Sequence, residues 1–138
     1  MKIFLDTNIL LSAMATRGLC ADVLREVLTS HQLVVSVPLL TELKQVLRQK
    51  LRVPVELIEE VIEMLKQDAH FGTPENLLDI AIKDKNDLVI LSSALNGNAD
   101  LFVTGDKELL DLHKVKGMEI VSPRMFWEKL KAKPSRKK

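Results

Sequence analysis

Lys2-Ile3-Phe4-Leu5-Asp6-Thr7-Asn8-Ile9-Leu10 opens on a short strand-like run, closes it with an acid and turns at once into a helical pattern. Leu101-Phe102-Val103-Thr104-Gly105-Asp106 repeats that arrangement late in the chain. Two further acids sit at comparable places. Asp87 opens the apolar helix Leu88-Val89-Ile90-Leu91, and Glu42 rides on a helix that follows Leu33-Val34-Val35-Ser36-Val37. An open parallel α/β sheet binds ligands outside the carboxyl ends of its strands. Such a fold would bring the four carboxylates to one rim, where unpaired acids point to a divalent cation and to phosphate chemistry.

The rest of the pattern supports that fold class. Short β-like runs alternate with helical stretches, which predicts βαβ units and an α/β domain with a mainly parallel central sheet of about five strands flanked by helices. The expected strands are Lys2–Leu5, Leu33–Val37, Leu78–Ile82, Asp100–Thr104 and Met118–Val121. Helices are expected near 7–14, 19–29, 38–50, 54–69, 86–96, 107–112 and 123–131. Pro38, Pro54 and Pro123 fall at or beside helix starts, where a missing amide hydrogen costs nothing. The 54–69 helix is amphipathic, with Val55, Ile58, Val61, Ile62, Leu65 and Ala69 on one face and Glu56, Glu59, Glu60 and Glu63 largely opposite. His70–Glu75 reads as the loop leading into the third strand.

Composition narrows the function. With 138 residues, 46% apolar and 28% charged, the chain is sized for one domain, 1–130, followed by a basic tail, 131–138, expected to be a solvated, disordered end. No apolar run approaches the roughly 20 residues that span a bilayer. Asp6 comes too early for a signal-peptide core, and the single Cys20 suits a reducing cytoplasm. Net charge is +1, but five of the 20 basic residues lie in the tail, so residues 1–130 carry 15 basic against 19 acidic. A binder of nucleic acid by charge alone would show the opposite balance.

Each acid taken singly can be a helix cap: Asp6, Asp84 and Asp106 all precede helices, and Asp87 follows Asp84 at capping-box-like spacing. Caps need not recur at the ends of buried strands, however. Glu42 lies at the margin of the apolar face marked by Leu39, Leu43, Val46 and Leu47. Two like charges about 5 Å apart repel by roughly 3 kcal/mol at an effective dielectric of about 20. Four in one cleft therefore require a cation or raised pKa values. An all-oxygen set favours Mg²⁺ or Mn²⁺ over Zn²⁺, and His31, His70 and His113 are scattered without ligand spacing. No Gly-x-Gly-x-x-Gly or Gly-Lys-Ser/Thr loop is present. Asn8, two residues after Asp6, stands where aspartyl-phosphate enzymes of the haloacid dehalogenase type carry a second acid. Receiver domains need paired acids after the first strand, which are also missing here.

The residues Phe4-Leu5-Asp6-Thr7-Asn8-Ile9-Leu10-Leu11-Ser12-Ala13, Pro38-Leu39-Leu40-Thr41-Glu42-Leu43, Asp84-Lys85-Asn86-Asp87 and Ala99-Asp100-Leu101-Phe102-Val103-Thr104-Gly105-Asp106 resemble, in order and spacing, the PIN domain family of metal-dependent ribonucleases. The resemblance spans about 2–130 and is nearest to the VapC-like toxin components of prokaryotic toxin–antitoxin systems. It implies that Asp6, Glu42, Asp87 and Asp106 are catalytic and hold one or two Mg²⁺ or Mn²⁺ ions. It implies that Asn8 and Thr104 orient those ligands, and that Asp84, one turn from Asp87, can share its role. Lys107 is a candidate phosphate contact. The implied partners are an RNA substrate, an antitoxin protein and a second copy of the chain, in the cytoplasm and away from membrane. The alternatives are a non-catalytic PIN-fold module that binds RNA or protein, and a DNA-directed nuclease resembling flap endonucleases. Aromatic residues make up only 4%, so single-stranded bases find few stacking platforms and recognition of RNA shape is expected.

Overall fold

A computed structural model describes residues 1–132. In chain order the elements are β1 (Lys2–Leu5), α1 (Thr7–Ala15), α2 (Leu19–Ser30), β2 (Gln32–Ser36), α3 (Val37–Gln49), α4 (Val55–Lys66), β3 (His70–Gly72), α5 (Lys85–Asn96), β4 (Leu101–Val103), α6 (Lys107–Leu110), β5 (Lys114–Val115), β6 (Met118–Val121) and α7 (Pro123–Ala132). The basic tail expected at 131–138 falls, from residue 133 onward, outside the described residues. No helix among the described residues is long and apolar enough to cross a membrane.

The sheet runs β3-β2-β1-β4-β6-β5, parallel except for the β5–β6 pair. β1 therefore lies between two parallel neighbours, with Phe4 opposite Val34 of β2 and Phe102 of β4. Strands buried on both faces read as continuous apolar runs. Ile3, Phe4 and Leu5 are accordingly fully buried, and the Phe4 and Phe102 rings stack with centroids 5.3 Å apart. The strand order reverses direction at β1, between β2 and β4, which opens a crevice beyond their carboxyl ends. Asp6 and Thr104 are the first residues past those ends.

The third strand is not where the alternating apolar residues predict it. Leu78–Ile82 forms no strand. Leu78 is buried, and its backbone N–H donates to Ser92 Oγ of α5 at 3.0 Å, while Ile80 and Ile82 pack partly buried against the core. The ladder position beside β2 goes to His70–Gly72, the segment read as a loop, with Val34 opposite His70 and Ser36 opposite Gly72. Gly72 is the reason: its backbone touches α5, and a Cβ there would lie 2.0 Å from the Ser93 carbonyl oxygen and 3.0 Å from the Gly97 backbone. A sixth strand, β5, also escapes the sequence reading. It is two residues long and turns into β6 through Lys116 and Gly117, both at positive φ (47° and 91°), as a two-residue hairpin requires. On α4 the buried stripe is Ile58, Ile62 and Leu65, whereas Val55, expected to face inward, is exposed.

One glycine substitution tests the β3–α5 contact, and a second, at Gly105 beyond β4, serves as its control. Gly72→Ala should cost about 2 kcal/mol or more in urea unfolding, because backbone rather than a flexible side chain must move. At Gly105 an added Cβ meets only Asn8 Oδ1 at 3.6 Å, so Gly105→Ala should stay within about 0.5 kcal/mol of the parent.

Candidate metal centre

Four carboxylates reach the crevice from four elements. Asp6 ends β1 and caps α1, and Asp106 follows β4 and caps α6. Glu42 comes from α3, and Asp87 from the first turn of α5, which Asp84 caps through Asn86 N–H at 2.8 Å. The capping roles expected of Asp6, Asp84 and Asp106 are thus all present, alongside their convergence.

Asp6 is only 6% exposed, and a carboxylate that deep needs donors. One oxygen accepts the Thr7 backbone N–H at 2.8 Å. The other accepts the Thr104 hydroxyl at 2.8 Å and the Asn8 amide at 3.3 Å. Thr104 Oγ1 in turn accepts the Asp106 N–H at 3.0 Å, and Asn8 Oδ1 accepts the Gly105 N–H at 3.2 Å. Asn8 and Thr104 therefore tie the ends of β1 and β4 into one hydrogen-bonded unit. Glu42 is held similarly: Thr7 Oγ1 donates to one carboxylate oxygen and Asn86 Nδ2 to the other, the latter at 2.6 Å. Thr7 and Asn86 were not singled out from the sequence. Each adjoins an expected site acid in sequence, but both donate to Glu42, 35 and 44 residues away, so no local signal marks them.

Every one of these partners is neutral. Among the described residues, none of the four acids forms an ion pair with a lysine or arginine. Lys107, the candidate phosphate contact, is highly exposed and lies 3.4 Å from Asp111 along α6. Burial, and after it repulsion, shows in proton affinity. Burial raises the Asp6 carboxyl above its ordinary value, the Thr104 and Thr7 hydrogen bonds oppose the rise, and Glu42 and Asp106 add to it. Asp87 is pushed from 3.8 up to about 7, first by burial and then by Asp84, Asp6, Asp106 and Glu42. Among the neighbouring charges, Asp84 acts on it most strongly.

The donor set suits a hard divalent cation: oxygen only, four acids, no imidazole or thiolate. Asp87 and one oxygen of Asp106 make no hydrogen bond among the described residues, which leaves them as acceptors. No three acidic, histidine or cysteine side chains among those residues stand close enough to form a finished ligand cluster. The carboxylates share a rim and a field without closing on a single point.

A family model described as PIN domain matches residues 2–108. No curated protein matches the chain. Among solved structures, the chain is similar to VapBC2 from Rickettsia felis, bound to a DNA fragment from its promoter, at 18% identity and a TM-score of 0.59. That match covers 88% of this chain and 98% of the other. It is also similar to VapBC-1 from nontypeable Haemophilus influenzae at 21% identity and a TM-score of 0.60, covering 90% and 99%. At these identities the likeness concerns the fold.

The raised Asp87 value has a testable sign. A carboxyl that binds its proton more tightly in the folded chain contributes stability that is complete below about pH 4 and lost as the pH rises through about 7. In EDTA, urea unfolding should therefore show the protein weakening across that window. Asp87→Asn should flatten the slope and gain roughly 1 kcal/mol near pH 8, allowing for solvent screening. A slope unchanged in the variant would assign the titration elsewhere.

Proposed function

The chain belongs to the PIN domain family, and from that premise we propose that it is a metal-dependent endoribonuclease and the toxin component of a toxin–antitoxin system. The observation that carries the proposal is the rim itself: four carboxylates from β1, α3, α5 and the β4–α6 turn, repelling one another, with Asp6 and Glu42 fixed only by neutral donors. A folded domain tolerates such a set when a cation completes it.

Asp6, Glu42, Asp87 and Asp106 would hold one or two Mg²⁺ or Mn²⁺ ions, with Asp84 near enough to assist Asp87. When bound, the metal supplies an activated water and stabilises charge on the phosphate and the leaving 3′ oxygen. The reaction is hydrolysis: the water oxygen adds to phosphorus, the bond to the 3′ oxygen breaks, and a proton ends on that oxygen, giving a 5′-phosphate and a 3′-hydroxyl. The contribution of the chain is orientation. Thr104, Asn8 and the Thr7 amide fix both oxygens of Asp6, and Thr7 and Asn86 fix both oxygens of Glu42. Neutral donors set these positions without cancelling the charge a cation needs. One oxygen of Asp106 caps α6, and its second is left without a hydrogen-bond donor among the described residues.

The VapBC likeness supports an antitoxin protein as partner; a second copy of the chain as assembly mate and action in the cytoplasm belong to the same proposal. One observation favours a different reading: the acids do not form a closed ligand cluster, as would suit a PIN-fold module that binds RNA or protein without cutting. Cleavage decides between them. A pool of structured RNAs should be cut with Mn²⁺ or Mg²⁺ and left intact with EDTA. Asp6→Asn and Asp106→Asn, still folded, should each lose about a hundredfold or more. Equal background from wild type and variants with every metal would select the binding module. Asn86→Ala should lose less, about tenfold, since it positions Glu42 without itself replacing a charge.

A further inference from the structure

Beside the acidic rim lies a depression of about 500 Å³ that the hydrolysis described above does not use. It shares Asn8 and Asp106 with the rim and is walled by Ile9 and Ser12 of α1, Cys20 of α2 and Pro123 of α7. We propose that it is the subsite for the ribose and base of the nucleotide next to the scissile phosphate, with Ser12 as its specificity-determining residue. The inference rests on the ribonuclease reading.

Position and chemistry both support that occupant. A strand cut at the rim must lay its neighbouring nucleotide against an adjoining surface, and this depression adjoins the rim through two shared residues. Its volume falls within the range of small-molecule sites. No lysine or arginine lines it, and its one charged residue, Asp106, repels phosphate. What it accepts is therefore the uncharged part of a nucleotide. Ile9, Cys20 and Pro123 offer apolar surface to the flat of a base or a ribose edge. The Ser12 hydroxyl makes no hydrogen bond among the described residues and can donate or accept. Three helices fix the walls, so the subsite is preformed. The larger concavity along α4, about 990 Å³, is lined by Glu56, Glu59, Glu60 and Glu63 and would repel a polyanion.

Cys20 is the only cysteine in the chain, so thiol chemistry reports on this depression alone. In EDTA, the rate at which iodoacetamide alkylates Cys20 should fall about threefold with saturating nucleosides, and inorganic phosphate should leave it unchanged. In Mn²⁺, alkylated protein and Ser12→Ala should each redistribute the cut sites within the RNA pool, by about fivefold at individual positions. Iodoacetamide treatment of Cys20→Ser should change nothing relative to its own untreated sample. Nucleoside protection without cleavage by any sample would uphold the depression as a nucleoside site and overturn the nuclease reading. Metal-dependent cleavage with an unchanged profile and no protection would overturn the subsite, leave the nuclease standing and assign the depression to a protein partner.

Discussion

Asp6 is a buried anion held in place by a hydroxyl, two amide groups and no cation. The rest of the crevice is arranged around that choice of donors. An arginine at the same place would satisfy Asp6 more strongly, but would also cancel the field that draws in a divalent ion. Threonine and asparagine fix direction and leave charge. The same choice recurs at Glu42, so the site stays anionic while its geometry is set.

The arrangement burdens the fold. Burial and the like charges nearby oppose the compact state, and both raise the proton affinity of the Asp6 and Asp87 carboxyls. The offsetting contribution comes from the most apolar part of the molecule, the β2-β1-β4 centre with its stacked Phe4 and Phe102. Functional sites commonly trade stability for chemistry in this way. Here the trade is spatially sharp: Leu5 is fully buried among apolar side chains, and the next residue is the site.

Much of this was legible before any coordinates. Strands β1, β2, β4 and β6 stand where apolar runs marked them, because a parallel strand buried on both faces leaves a dense signal. Asp6, Glu42 and Asp106 stand out by following those runs, and Asp87 by opening the apolar helix α5. The third strand was not, because Leu78–Ile82 has the side chains of a strand while His70–Gly72 has the backbone room for one. Periodicity reports burial, and close approach of two backbones at Gly72 and Gly97 leaves no periodic trace. Thr7 and Asn86 were hidden for a related reason: which hydroxyl or amide meets Glu42 depends on how α1, α3 and α5 meet, a tertiary fact.

The Thr104–Asp6 hydrogen bond joins residues 98 apart in sequence, and this bears on the order in which the molecule assembles. Pairing of β1 with β2 closes a loop of about 30 residues, whereas β1 with β4 closes one more than three times longer, so entropy favours the first. A chain that has formed only β1-α1-α2-β2-α3 carries Asp6 and Glu42 but neither of the other two acids. Electrostatic self-repulsion is therefore small while the nucleus forms and rises when the β4 half docks. The barrier it adds belongs to the last step of folding, and divalent cations present at that moment would hasten docking rather than collapse.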